Sequence, residues 1–259
     1  MKGRETAYGG GRVQMKVLIS NDDGIFAPGI EALVKAFSAA GHEVFVCAPD
    51  SQRSAASHSL TIGRPLTVKE TRMDGAKKAW AIGGTPADCV KLGLTVLCPE
   101  TEAVVSGVNK GYNVGTDILY SGTVAAAMEG AICGRPALAV SQHERREEYE
   151  SAAALAVHEF GKLNEKGLAP LSVLNLNYPE HGEAKGLVSA VMGQLFYNEN
   201  YTPAVNETGE TVYTLRGEVR NDIPQSDDYE RLGEGYATST VLYYDMTDRD
   251  MTTGWNRLV

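Results

Sequence analysis

The chain has 259 residues, 43% of them hydrophobic and 22% charged, and 33 acidic against 24 basic side chains leave a formal net charge of −9. That length supports one large domain or two small ones with an ample core, and charge of that sign disfavours nucleic-acid duplexes and anionic membrane surfaces as partners. No apolar run approaches the roughly 20 residues of a membrane span, and with four cysteines but no C-x-x-C pair the expectation is a reduced, cytoplasmic globular protein.

Residues 1–14 carry Gly9-Gly10-Gly11 and no apolar signal-like stretch, and read as a disordered tail or cloning remnant with Met15 as an alternative start. MKVLIS (15–20) is a short apolar run that meets the turn Asn21-Asp22-Asp23-Gly24, which predicts a buried strand. Ile30, Leu33, Val34 and Phe37 fall at i, i+3, i+4, i+7 before Gly41, the pattern of an amphipathic helix of about three turns. EVFVCA (43–48) is a second strand closed by Pro49-Asp50, and PLTVKE (65–70) and AWAI (79–82) are strands flanking a turn near Asp74-Gly75. Thr85-Pro86 with Asp88 predicts a capped helix through about Leu97. AVVS (103–106) is a strand, followed by a glycine-rich loop to Tyr120. SGTVAAAMEGAICG (121–134) reads as an alanine-rich helix stopped by Gly134 and Pro136, and ALAVS (137–141) returns as a strand. The charged run Glu144 to Glu148 reads as a solvated helix start, leading into a helical face from Tyr149 to Leu163, and LSVLNLN (171–177) is the next strand. Short apolar strands alternating with helices predict an α/β fold, a mostly parallel sheet with helices on both faces. Beyond Pro179 the runs LVSAV, TVYTLRGEV and YATSTVLYY between acidic loops suit an antiparallel extension or an oligomerisation element. The expected division is therefore 1–14 tail, 15–185 core and 186–259 extension within the same domain.

In an open parallel sheet, ligands collect beyond the carboxyl ends of the strands. The first strand ends at Asp22 and Asp23, the second leads to Ser54, and the strand at 103–106 leads to Asn109. These are hard oxygen donors with no histidine or cysteine among them, a set that suits Mg²⁺, Mn²⁺ or Ca²⁺. Two consecutive carboxylates repel unless one protonates or a cation sits between them; the same residues also compose an ordinary solvated turn. Ser121-Gly122-Thr123 opens a helix, where free N–H groups favour an anion, although a serine or threonine there also serves as a simple cap. Gly107, Gly111 and Gly115 free the preceding loop for close approach to a ligand.

Cys47-x₅-Arg53-Ser54 has the spacing of a cysteine-dependent phosphatase loop, but Pro49 lacks an N–H to aim at phosphate and Asp50 adds a repelling charge. The remaining cysteines suit small buried hydrophobes, and His58, near the second strand's edge, suits a structural role better than a reach toward substrate.

The segments MKVLISNDDGIFAPGI (15–30), APDSQRSAASHSLTI (48–62), GGTPADCVKLGL (83–94), VVSGVNKGYNVGTDILYSGTVAAAMEGA (104–131) and NLNYP (175–179) resemble the SurE survival-protein nucleotidases. The resemblance implies a Rossmann-like core whose C-terminal extension is exchanged within a homodimer or homotetramer. It implies a metal-dependent phosphatase for nucleoside 5′- and 3′-monophosphates and short polyphosphate. One divalent metal ion per subunit, Mg²⁺ or Mn²⁺, would be held by Asp22, Asp23, Ser54 and Asn109. Asn21, Ser106, Gly107, Asn113, Ser121, Gly122 and Thr123 are assigned to phosphate and substrate. The expected chemistry is in-line attack of water without a phosphoenzyme, with Asp22 and Asp23 as the catalytic carboxylates, either able to accept the water's proton and Asp22 favoured. A thiol phosphatase using Cys47 and a catalytically silent nucleotide sensor are the alternatives.

Overall fold

The computed structural model describes residues 14–220 and 222–255, so the tail expected over 1–14 lies, apart from Gln14, outside the described residues. In chain order the elements are β1 (Lys16–Ser20), α1 (Pro28–Ala39), β2 (Glu43–Pro49), β3 (Val68–Thr71), β4 (Ala76–Ile82), α2 (Pro86–Leu92), β5 (Ala103–Lys110), α3 (Gly122–Ile132), β6 (Ala137–Gln142), α4 (Glu150–Lys166), β7 (Ser172–Tyr178), β8 (Leu187–Ser189), β9 (Tyr197–Val205), β10 (Thr211–Val219), α5 (Asp227–Gly233), β11 (Ala237–Tyr243) and α6 (Arg249–Trp255).

Among the described residues one sheet runs in the order β3-β4-β2-β1-β5-β6-β7-β11-β8, and β9 pairs with β10 as a separate hairpin. From β4 to β7 every neighbouring pair is parallel, while β3 and β11 join antiparallel to β4 and β7. The chain leaves β1 toward β2 and β4, then returns to lay β5 on the other side of β1. Connections therefore diverge at β1 and β5, which opens a crevice beyond their carboxyl ends.

Strand alternation sends Val17 and Ile19 to one face and Leu18 to the other. On the first face they pack with Ile30, Leu33, Val34 and Phe37 of α1 and Ala152, Ala156 and Phe160 of α4. On the second face, Leu18, Phe45 and Val104 meet Val90 of α2 and Val124, Ala126 and Ala127 of α3. The alanines let α3 lie close to the strands; a Cβ on Gly130 would stand 2.6 Å from Val104 Cγ2.

Thr85 and Asp88 form the expected capping box, but regular α-helix ends at Leu92. The last turn, 93–97, widens so that Cys98 N–H donates to Gly93 O at 2.9 Å. Gly93 is pressed against Leu18 and Cys47 there, so the chain can only continue by loosening its winding. The charged run at 144–148 also differs from expectation, because α4 begins at Glu150. Arg146 lies over the Tyr178 ring at 4.7 Å and donates to Gly182 O at 2.8 Å. Stacking and main-chain bonding thus make this run a strap across the end of β7, not a solvated helical turn.

The extension is divided between two places. β11 and β8 widen the main sheet beyond β7, whereas the β9–β10 hairpin stands apart with nearly every side chain exposed.

Candidate active site

Beyond Ser20 the chain turns through Asn21-Asp22-Asp23-Gly24. The Asn21 side-chain amide donates to Gly24 O at 2.8 Å, and Ile25 N–H donates to Pro49 O at 2.9 Å, which ties the turn to the end of β2. Asp22 is 7% exposed and lies against the first turn of α3. The Thr123 hydroxyl donates to its Oδ1, and a Cβ on Gly122 would sit 2.8 Å from Asp22 Cβ, so only glycine permits this approach. Burial pushes the Asp22 carboxyl up to about 6; the Thr123 hydroxyl opposes the shift and the charge of Asp23 adds to it. Asp23 is half-buried and accepts the Lys110 N–H at 3.0 Å and the Gln52 amide at 3.4 Å. Burial raises it as well, against the pull of those bonds and of the Lys110 charge.

Two bonds from main-chain N–H groups gather the segments that carry the other expected ligands. Arg53 N–H donates to Asp22 O at 2.7 Å, which brings the backbone next to the exposed Ser54 onto the acid turn. The Lys110 bond to Asp23 does the same for Asn109, whose amide NH₂ donates to Gly111 O at 2.8 Å, so the amide oxygen is the atom left to ligate. Asp22, Asp23, Ser54 and Asn109 therefore stand at one edge, on three strand ends.

Among the described residues no lysine or arginine comes within ion-pair distance of either acid. Nor does any group of three His, Cys, Asp or Glu side chains form there or elsewhere among them. Two adjacent carboxylates plus hydroxyl and amide oxygens make a small, hard donor set, which fits Mg²⁺ or Mn²⁺ and not zinc. Ser20 Oγ, Asn21 Oδ1 and Ser106 Oγ are buried with no hydrogen-bond partner, and Ser20 stands opposite Ser106 in the β1–β5 register. Orphaned polar atoms grouped at one crevice are what a bound anion or cation would satisfy.

The other substrate candidates fall differently. Gly107 lies within β5 with φ +131, its α-carbon packed on the Val140 carbonyl. Ser121 caps α3 by accepting the Val124 N–H at 3.0 Å, and its own hydroxyl proton is left to donate elsewhere. Thr123 is committed to Asp22. Asn113 is drawn inward: its NH₂ donates to Ser141 Oγ at 2.7 Å, and its carbonyl accepts from Asn175 and Asn177 at 2.9 and 3.0 Å. Its side-chain amide ties the loop after β5 to β6, and its main chain ties the same loop to β7. Gln52 and Lys110 act on Asp23 without having been singled out in the sequence; the Lys110 hydrogen bond comes from its main-chain N–H, which leaves no signature in residue type, and its charge adds a smaller pull.

Cys47 is fully buried, and its hydrogen bond with Cys98, together with burial, pushes the thiol far above its usual range. A thiolate nucleophile is excluded at that position. His58 is engaged by α3, with Nε2 2.8 Å from Glu129 Oε2. Lys91 Nζ lies 2.5 Å from the other oxygen of Glu129, which is itself buried. The His58 bond, opposed by burial and assisted by Lys91, holds the Glu129 carboxyl at about 2. Because this acid is lowered on folding, its contribution is complete above the unfolded value of 4.5 and fades as pH drops toward 2. Glu129→Gln is expected to cost on the order of 3 kcal/mol at pH 7. Urea titrations should show that gap from the parent protein narrowing between pH 4.5 and 2.

A family model described as "Survival protein SurE" matches residues 17–199. A 5′-nucleotidase SurE of Clostridium botulinum is 41% identical over 240 residues, covering 90% of this chain and 95% of the relative. Its counterpart in Thermosynechococcus vestitus is 42% identical over 244 residues, covering 90% and 92%. Among solved structures, the SurE protein of Aquifex aeolicus superimposes with a TM-score of 0.79 at 35% identity, covering 94% of this chain and 99% of that one.

Proposed function

This chain belongs to the SurE survival-protein family, and from that premise we propose that it is a 5′-nucleotidase, hydrolysing nucleoside 5′-monophosphates to nucleoside and phosphate with the help of a divalent cation. One observation carries the reading: a buried carboxylate and its acidic neighbour, with no ion pair to either among the described residues, follow directly on β1, where the oxygens of Ser20, Asn21 and, across the β1–β5 pairing, Ser106 are buried without a partner. A divalent cation, Mg²⁺ or Mn²⁺, held by Asp22, Asp23, Ser54 and Asn109 supplies Lewis-acid charge to the phosphoryl oxygens.

The chain's own residues supply the rest. The hydroxyls of Ser106 and Ser121 and the N–H of Gly122 donate to the remaining phosphoryl oxygens, which stabilises charge as the phosphoryl group transfers. Asp22, whose carboxyl is oriented by the Thr123 hydroxyl on Oδ1, is the favoured acceptor of the attacking water's proton, with Asp23 the other carboxylate in reach of that role. With His58 engaged by Glu129, the departing alkoxide takes its proton from solvent. Nothing in this set grips a base or a particular sugar carbon, which favours 3′-monophosphates and short polyphosphate as additional substrates. The hairpin, with exposed Tyr201, Val205, Val212, Tyr213 and Leu215, suits contact between subunits of a homodimer or homotetramer. Four free cysteines, Cys47, Cys89 and Cys98 among them buried, suit the reducing cytoplasm.

Phosphate release measured across nucleoside monophosphates with Mg²⁺, Mn²⁺ or EDTA tests the reading. EDTA should abolish release and added Mn²⁺ restore it, while iodoacetamide leaves it intact. Metal-dependent nucleotide binding with no phosphate released over hours would instead identify a sensor.

A further inference from the structure

The segment from Ser51 to Gly63 carries Ser54 from β2 toward β3 without a strand or helix of its own. Ala55 and Ser57 hold φ of +54 and +49, left-handed values that residues with a Cβ keep only when surrounding contacts impose them. The segment is tied down at both ends. Near its start Arg53 N–H donates to Asp22 O, the Gln52 amide donates to Asp23 and the Arg53 guanidinium pairs with Asp50. Farther along, Ser57 N–H donates to Tyr120 O at 3.0 Å, Ser59 O accepts the Thr85 hydroxyl at 2.7 Å, and Thr61 donates to Asp88 through N–H and hydroxyl at 2.8 and 2.6 Å. Between these, His58 is the side chain of the segment that reaches Glu129, a buried carboxylate on α3. That helix also grips Asp22 through Thr123 at its first turn. His58 thus fastens the segment bearing Ser54 to the element that orients Asp22.

We propose that His58 is a positioning residue: its Nε2 hydrogen bond to Glu129 holds Ser54 in register with Asp22, and so sets the affinity of the metal site. The inference rests on the reading of Ser54 as a metal ligand. Lys91 provides an internal control, because it bonds the other oxygen of the same carboxylate from α2 and does not itself bond the segment.

Two readouts test this on the full chain: Mn²⁺ affinity by calorimetry, and amide hydrogen exchange at Arg53 and Ser57. His58→Ala should weaken Mn²⁺ binding about tenfold, as loss of a group orienting a ligand does, and should speed exchange at both amides. His58→Gln, which keeps a nitrogen donor at similar reach, should restore most of both, and Lys91→Ala should leave both unchanged. Parental affinity and exchange in His58→Ala would overturn the proposal. So would equal losses in Lys91→Ala, since the effect would then belong to Glu129 and α3. Ser54→Ala separates the premise: undiminished Mn²⁺ affinity there overturns the ligand reading and the metal consequence, while the exchange rates decide the anchor by themselves.

Discussion

Replacing either acid of the pair by its amide, Asp22→Asn or Asp23→Asn, is expected to lower kcat at least about a hundredfold, the scale seen when a principal charge-stabilising group is lost. Asparagine keeps the shape and one oxygen but removes the charge that would hold a divalent cation, so Mn²⁺ affinity should fall in step. Stability should not. Asp22 is buried, and desolvation already pushes its carboxyl up to about 6. A neutral side chain relieves that penalty, and the Thr123 hydroxyl can rotate to suit it. The metal-free Asp22→Asn protein should therefore melt at or above the parental temperature while turning over poorly. Steady-state phosphate release with saturating metal, paired with thermal melts, checks both halves; near-normal turnover in both variants would remove the acid pair from the chemistry.

Gly107→Ala should have the largest effect on folding. The Gly107 backbone sits at φ +131, and an added Cβ would stand 2.1 Å from the Val140 carbonyl oxygen in β6. Neither atom can yield, because the carbonyl is main chain of β6 and the Cβ is fixed by the Gly107 α-carbon in β5, both central parallel strands. The strained φ costs about 1–3 kcal/mol, and the overlap forces a comparable or greater cost as β5 and β6 separate. A loss of at least about 3 kcal/mol is expected by urea denaturation. Since Ser106 and Asn109 flank this residue on β5, whatever folded protein remains should also be slow. A stability within 1 kcal/mol of the parent would mean that β5 can shift where the packing implies it cannot.

Asp88 illustrates how far residue spacing reaches and where it stops. Thr85-Pro86 and Asp88 announce a capping box from local pattern alone, and the box is present. The same carboxylate also takes two bonds from Thr61, 27 positions away, which no local rule contains. Glu129 is the converse case. A single charged residue inside GTVAAAMEGAI is a visible oddity, yet its partners, His58 and Lys91, come from two other elements. Asn113 shows a polar residue beside the site that is spent on bracing strands, a role set by the neighbours β6 and β7 bring to it.

What residue order determined by itself was whatever depends on neighbours along the chain. That comprises the alternation of strand and helix, the turn of acids after β1, and the run of oxygen donors at the strand ends. What only the folded molecule decided was which of those polar groups meet: Arg53 on Asp22, Lys110 on Asp23, Thr123 turned to an acid and not to a ligand, and a thiol sealed from solvent. The reason is physical. Periodicity reports which face of an element avoids water, a local property, whereas the partner of a buried polar atom is chosen by strand order and register, through contacts between residues tens to more than a hundred positions apart.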